Sequence, residues 1–219
     1  MKIGIVIGSP KVKDSNSEGI GDILAMRLSK GNEIHKVVIP TSGKGTAQEY
    51  GVLGKCQVIV FLFPIYCDAI PAHMLSYLTE LETFFKQNSR NDIMVYAFTN
   101  CGFYRGECGK IAIEMLKVWT EKAGLTWGQG VGTGAGEMLR FVKGIPYGHG
   151  PNYNIGKLTD QLVANITNRK SDTEKFIVPT FPKILYELAA NMVWISRCSH
   201  KTKNIGKLFK TTSVEQKID

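Results

Sequence analysis

The sequence predicts an α/β protein built on a doubly wound parallel sheet. Short apolar runs alternate with segments of helical periodicity about five times in the first 130 residues, which is the spacing of βαβ units. The runs are almost continuously apolar, as in strands that are covered on both faces. Of the 219 residues, 43% are hydrophobic and 21% are charged, which excludes a disordered or collagen-like chain.

The first half of the predicted sheet contains three strands. Ile3–Ile7 is a β-branched run bounded by glycine and proline, and Ser17–Ser29 after it has apolar residues at helical spacing. The second strand is predicted over Glu33–Ile39. Residues 41–55 are polar and rich in glycine, so we expect at most a short helix there. Gln57–Phe63 has the strongest strand pattern in the chain.

The second half alternates in the same way. Pro71–Gln87 is predicted to be a helix. The proline at its start is compatible with this, since its missing N–H costs little in the first turn. Ile93–Phe98 is the fourth strand. Gly109–Ala123 is a strongly patterned helix that ends before a glycine. Leu125–Gly132 completes a sheet of five strands.

The remaining segments follow the fifth strand. Residues 133–154 are predicted to form a glycine-rich loop, and Ile155–Asn168 a helix. Residues 169–181 are polar. Phe181–Arg197 is a last helix with an apolar face, which we expect to pack on the body, on a sister subunit in a homodimer, or at a membrane interface.

Residues 1–168 are therefore predicted to form the sheet domain, and residues 169–219 a C-terminal extension with one helix and a basic tail. Residues 1–182 carry 20 basic and 16 acidic side chains, and residues 183–219 carry 7 and 3, so each segment contributes +4 to the net charge of +8. The tail is expected either to meet nucleic acid, an anionic membrane surface or an acidic partner, or to be a solvated tail without a partner. The tail contains a stretch without any acidic residue, and its basic residues are Arg197, Lys201, Lys203, Lys207 and Lys210.

The cysteines indicate a reducing compartment. There are five, an odd number, and no C-x-x-C spacing, so we expect no disulfide framework and no metal site. The apolar stretch at the N-terminus is too short for a secretory signal, and no apolar run reaches the roughly 18 residues of a spanning helix. We therefore expect the cytoplasm.

The loop after the first strand has the composition of a phosphate site. Ligands of open α/β sheets bind beyond the carboxyl ends of the strands. Here small hydroxyl and amide side chains stand beside a helix N-terminus, whose N–H groups and dipole favour a phosphate monoester. The alternative is that Ser15, Asn16 or Ser17 only caps the helix. The candidate residues are Ser9, Pro10, Lys11, Ser15, Asn16 and Ser17.

Three further loops at the same edge suit a flat ligand. The third strand leads into a loop between two prolines, which offers an aromatic face at Tyr66 unless this is an ordinary surface tyrosine. The fourth and fifth strands lead into loops whose glycines allow close backbone approach. Together the four loops describe a mononucleotide site with a planar ring. The candidate residues are Pro64, Ile65, Tyr66, Cys67, Asp68, Ala69, Thr99, Asn100, Cys101, Gly102, Phe103, Tyr104, Gly134, Ala135 and Gly136.

Four segments carry a family resemblance that covers roughly residues 1–165. They are Gly8-Ser9-Pro10 with Ser15-Asn16-Ser17, Pro64-Ile65-Tyr66 with Ile70-Pro71, Asn100-Cys101-Gly102-Phe103-Tyr104, and Gly134-Ala135-Gly136. In combination they resemble the flavodoxin-like NAD(P)H-dependent FMN reductase family. The resemblance implies a five-stranded sheet in the order 2-1-3-4-5, with FMN at its edge. The first loop would hold the ribityl phosphate, and Pro64–Ala69 and Thr99–Tyr104 would flank the isoalloxazine.

The resemblance also implies an activity. Hydride would pass from NAD(P)H through the flavin to a small-molecule acceptor (a quinone, nitro compound, azo dye or flavin) in a ping-pong reaction without a catalytic side chain. One alternative is a flavodoxin-type electron carrier without NAD(P)H turnover. Such carriers are typically shorter and acidic, so the length and the basic charge favour the enzyme. The other is a regulatory or binding module that uses the basic tail; no nucleic-acid-binding signature is present.

Overall fold

The computed structural model describes residues 1–11, 15–88, 92–142 and 144–201, without the side chains of Glu137, Arg140 and residues 197–201. The chain divides into two compact units, Met1–Thr180 and Phe181–Asp219. The first contains the sheet and the second contains a long helix. The basic residues predicted beyond that helix, Lys203, Lys207 and Lys210, lie outside the described residues.

The described part of the first unit has a parallel sheet of six strands in the order β2-β1-β3-β4-β5-β6. This confirms the predicted order of the first five strands. The chain runs outward from β1 to β2 and then returns to β3 on the other side of β1, so the strand order reverses between β1 and β3. The strands are β1 (Lys2–Ile7), β2 (Glu33–Val38), β3 (Val58–Pro64), β4 (Met94–Asn100), β5 (Thr126–Thr133) and β6 (Lys175–Ile177).

The helices agree with the sequence prediction except after β5. Residues 133–154 are not a continuous loop, because they contain the short helix α5 and a 3₁₀ turn at Gly150–Asn152. The α-helices are α1 (Asn16–Leu28), α2 (Ala47–Leu53), α3 (Ala72–Asn88), α4 (Lys110–Lys122), α5 (Gly136–Phe141), α6 (Tyr153–Thr167) and α7 (Lys183–Lys201).

Alternating side chains of the central strands fill two cores, one on each face of the sheet. Side chains of β3 such as Ile59 and Phe61 pack with residues of α3 and α4. Their neighbours Val58 and Val60 belong to the opposite core, with residues of α1 and α6. This is the period of two that a strand imposes, and burial on both faces explains why the strand is apolar throughout.

The sixth strand corrects the prediction of five. It lies in the polar segment 169–181, where the sequence pattern predicts no strand. Polar contacts hold the approach to it: the Gln129 side chain donates to the Thr173 carbonyl at 2.7 Å, and Asn165 donates to Gln129 at 2.9 Å. The Thr173 N–H, and then the Asn165 and Gln161 amides, lower the pKa of the Asp172 carboxyl. Hydrogen bonds of these amides hold the approach to β6, and Phe176 and Ile177 of the strand itself pack against the two cores.

We expect Gly51→Ala to stabilise the protein by about 0.5–1 kcal/mol. Gly51 lies inside α2, its φ is outside the left-handed region, and an added Cβ would meet no atom within 4 Å. Urea denaturation measures the change in the free energy of unfolding. Gly45→Ala is the contrasting control, because its Cβ would lie 2.5 Å from the Tyr50 ring and should destabilise the protein. A destabilised Gly51→Ala variant would contradict the packing described for α2.

Candidate functional site

The N-terminus of α1 opens at the carboxyl edge of the sheet, where the strand order reverses. Ser15 is the N-cap: its backbone is extended, and its Oγ accepts the Glu18 N–H at 3.0 Å. The Ser9 Oγ lies 3.3 Å from the Lys11 nitrogen and accepts its N–H. Of the three possible caps, Ser15 therefore fills that role, while Asn16 and Ser17 lie in the first helical turn. The capping hydroxyl is at the same time part of the candidate site.

Two side-chain amide contacts, one buried and one partly buried, join this loop to the other strand ends. The Asn100 amide donates to the Ser17 Oγ at 2.9 Å, which connects the end of β4 to α1. The Asn16 amide donates to the Gly136 carbonyl at 2.6 Å, which connects α1 to the segment after β5. Ser17 and Asn100 are almost fully buried, so their side chains hold the loops in place. The site edge is therefore preorganised by the chain itself.

The loop after β3 is a tight turn that projects Tyr66 to the surface. Tyr66 and Ala69 exchange two backbone hydrogen bonds, of 3.2 and 3.1 Å. The two residues between them, Cys67 and Asp68, have φ angles of 49° and 59°, a left-handed conformation that is costly for residues other than glycine. Tyr66 is 51% exposed. The turn thus holds an aromatic face beside the cavity in a strained conformation.

The loops after β4 and β5 pack on each other. The N–H groups of Ala135 and Gly136 donate to the carbonyls of Phe103 and Cys101, at 2.6 and 2.7 Å. A Cβ on Gly134 would lie 1.9 Å from the Tyr104 carbonyl oxygen. Position 134 therefore has no room for a side chain, because the backbone of the loop after β4 lies against it. The close backbone approach that its glycines allow is here an approach to the loop after β4.

A cavity of about 130 Å³ lies at the meeting point of these loops. All twelve of its lining residues are among the candidates taken from the sequence. In the described lining, Lys11 carries the charged side chain, and the other residues are polar, aromatic, aliphatic or glycine. The lining residues are Ser9, Lys11, Ser15, Asn16, Ser17, Pro64, Ile65, Tyr66, Asn100, Cys101, Gly102 and Gly136.

Nine candidate residues lie outside the cavity lining. Thr99 is buried, and its hydroxyl donates to the Val131 carbonyl at 3.3 Å, so its contact is with the sheet. Phe103 is 70% exposed and directly follows the lining residue Gly102 in the chain. The others are Pro10, Cys67, Asp68, Ala69, Tyr104, Gly134 and Ala135.

Two cysteines of the site differ in environment. Cys67 is exposed at the tip of the turn, whereas Cys101 is buried. Burial, and then the neighbouring Cys108, raises the pKa of the Cys101 thiol to about 12. At neutral pH Cys101 is therefore a protonated thiol, which is a poor nucleophile.

We expect iodoacetamide at pH 8 to modify Cys67 much faster than Cys101. The reagent attacks exposed thiolates, and Cys101 is neither exposed nor ionised at this pH. Peptide mass spectrometry over time measures both rates, and Cys67→Ser is the control that removes the fast adduct. Modification of Cys101 at the rate of Cys67 would contradict the burial described here.

Comparisons with solved structures agree on the architecture. An NADH:FMN oxidoreductase (EMOB) in its apo form has a TM-score of 0.59 at 8% identity, over 78% of this chain and 90% of that chain. A short-chain flavodoxin associated with a PDU bacterial microcompartment has a TM-score of 0.53 at 13% identity, over 78% and 100%. Smu.1420 from Streptococcus mutans UA159 has a TM-score of 0.51 at 13% identity, over 76% and 100%.

Neither a protein-family model nor a curated protein matches the sequence. At 8–13% identity the structural neighbours show the fold alone. The strand order, the strand reversal beside the cavity and these neighbours lead to the same conclusion: the chain has the flavodoxin-like fold.

Proposed function

We propose that the chain is an FMN-dependent oxidoreductase that transfers hydride from NAD(P)H through the flavin to a quinone, nitro, azo or flavin acceptor in a ping-pong reaction. The observation that supports this most is the combination of a polar cavity at a helix N-terminus with an exposed aromatic side chain beside it. A helix N-terminus favours a phosphate group, and an aromatic face suits a planar ring. The similar fold of an NADH:FMN oxidoreductase adds to this support.

The residues present fit the two ends of FMN. The cavity is smaller than the roughly 300–1,000 Å³ of a site that encloses a whole organic ligand. Its hydroxyls at Ser9 and Ser15 and the charge of Lys11 suit a phosphate. The apolar and aromatic surface of Ile65, Tyr66 and Phe103 suits a ring that stays accessible to a second substrate. We therefore assign the phosphate to the α1 end and the ring to the side of the β3 and β4 loops.

The chain's own contribution is binding and orientation. Bound FMN would supply the hydride chemistry, which requires no acid–base pair from the protein. The N–H groups of Ile65, Tyr66 and Ala69 are used within the protein. Those of Cys67 and Asp68 have no hydrogen-bond partner among the described residues, so we propose that they hydrogen-bond to the ring edge. The strained turn fixes their direction before a ligand arrives.

The proposed setting is the reducing cytoplasm. The four cysteines whose side chains are described, Cys56, Cys67, Cys101 and Cys108, are free thiols, as such a compartment favours. The proposed partner is a small-molecule electron acceptor. A homodimer stays a prediction.

An absorption spectrum tests the binding part of the proposal. The purified protein is mixed with FMN, desalted and scanned, and we expect a flavin spectrum at one FMN per chain. A colourless protein that also fails to quench FMN fluorescence in a titration would overturn a flavin site.

Steady-state turnover tests the enzymatic part. NADH and NADPH are compared as donors with a quinone, a nitro compound, an azo dye and free FMN as acceptors. We expect oxidation of at least one nicotinamide that depends on FMN and on the acceptor. Stoichiometric FMN without turnover would instead support a flavodoxin-type electron carrier.

A further inference from the structure

The second compact unit contains a helix with an apolar face. α7 extends over Lys183–Lys201. Apolar residues recur along one side of it at helical spacing and form a stripe of Ile184, Leu188 and Ile195. Leu185 and Met192 widen this stripe. All five side chains are 40–72% exposed, and Trp194 is 67% exposed. A run of large exposed apolar side chains on one helix is typical of an interaction surface.

The end of α7 and the sequence after it are rich in basic residues. The acidic residue of the helix, Glu187, lies at its start and forms an ion pair of 3.4 Å with Lys183. From residue 188 to residue 214 the sequence contains no aspartate or glutamate. It contains five basic residues there: Arg197, Lys201, Lys203, Lys207 and Lys210. In the sequence, the apolar face is therefore followed by a segment of net positive charge.

These two properties together favour a lipid surface. Amphipathic helices with an apolar face and nearby basic residues lie in the plane of anionic membranes, and tryptophan is favoured at that interface. A second copy of the chain would cover the apolar face but would bring a second positive segment instead of an opposite charge. Nucleic acid would compensate the charge but not cover the apolar side chains. Within the described residues, no helix combines the length and hydropathy needed to span a bilayer.

We propose that α7 and the basic segment after it bind the surface of an anionic membrane. The apolar side chains of α7 enter the headgroup boundary, and the lysines contact the anionic headgroups. This adds a location at the membrane surface to the proposed oxidoreductase and does not depend on its chemistry.

The test is sedimentation of the full-length protein with vesicles. One set contains phosphatidylcholine alone and the other contains phosphatidylcholine mixed with phosphatidylglycerol. We expect the protein to sediment with the anionic vesicles and to remain in solution with the neutral ones. Binding should weaken as salt is added, because the basic segment supplies part of the attraction.

Two variants separate the contributions. Leu188→Gln with Met192→Gln should weaken binding to anionic vesicles by about tenfold or more, because apolar burial is lost. Lys203→Gln with Lys207→Gln and Lys210→Gln should weaken it by on the order of a hundredfold. The matched control is Leu75→Gln with Met26→Gln, because these side chains are 38% and 69% exposed on other helices. The control should bind as the unchanged protein does.

Three results would overturn the proposal. The first is a protein that stays in solution with both vesicle types. The second is equal weakening by the control pair, which would show that α7 has no special part in binding. The third is a face variant that keeps full vesicle binding but changes a dimer to a monomer in analytical ultracentrifugation, since a second copy then occupies the face. Loss of vesicle binding with FMN binding intact is the expected result and leaves the proposed function untouched.

Discussion

Replacing Ser15 by aspartate should weaken FMN binding about a hundredfold relative to asparagine at the same position. Both residues are good N-caps, so both can accept the Glu18 N–H that the Ser15 Oγ accepts at 3.0 Å. Aspartate adds a negative charge to a side chain that lines the cavity. Two like charges roughly 5 Å apart at an effective dielectric of about 20 repel by about 3 kcal/mol. A fluorescence titration with FMN measures the difference.

Riboflavin provides the control for this prediction. It lacks the phosphate, so the aspartate and asparagine variants should bind it equally. Thermal unfolding of both proteins without ligand checks that the cap of α1 is preserved. If the two variants bind FMN with the same affinity, the phosphate does not lie at the N-terminus of α1, and the proposed orientation of FMN is wrong.

The central sheet was predictable because its signal is local. Burial on both faces gives β1, β3 and β4 long apolar runs, and such runs stand out in a polar sequence. The predicted bounds Gln57–Phe63 differ from Val58–Pro64 by one residue at each end. β6 has no such signal, because it has three residues, all of them only half-buried. The segment that leads into β6 is held by contacts such as that of Gln129 with Thr173. These residues are distant in sequence, so a local pattern cannot reveal the contact.

The cavity was also predictable, for a reason of topology. Parallel strands end at the same edge of a sheet, so the residues after β1, β3 and β4 had to meet there. The sequence could not distinguish the residues that line the cavity from those that only hold the surrounding loops and strands in place. Thr99 and Asn100 are neighbours in sequence, but Thr99 bonds to Val131 in the sheet, while Asn100 lines the cavity and bonds to Ser17. Long-range contacts alone decide this division.

Gly134 is a predicted site residue that supports the packing of two loops and does not line the cavity. We expect Gly134→Ala to destabilise the protein by about 3 kcal/mol even without a ligand. The new Cβ would lie 1.9 Å from the Tyr104 carbonyl oxygen and 2.8 Å from the Arg105 carbonyl carbon. Both are backbone atoms, so a rotamer change cannot relieve the overlap, and the loop after β4 must move. Urea denaturation of the ligand-free protein measures the loss.

Gly102→Ala is the matched control, because it makes the same substitution in the adjacent loop. A Cβ there would meet no atom within 4 Å, so the stability should stay within about 0.5 kcal/mol of the original protein. The comparison decides what the glycine at 134 is for. A large loss of stability means that Gly134 serves the packing of the two loops. Unchanged stability with weakened FMN binding would mean instead that Gly134 faces the ligand, as the glycine-rich sequence first suggested, and that the contact with Tyr104 is wrong.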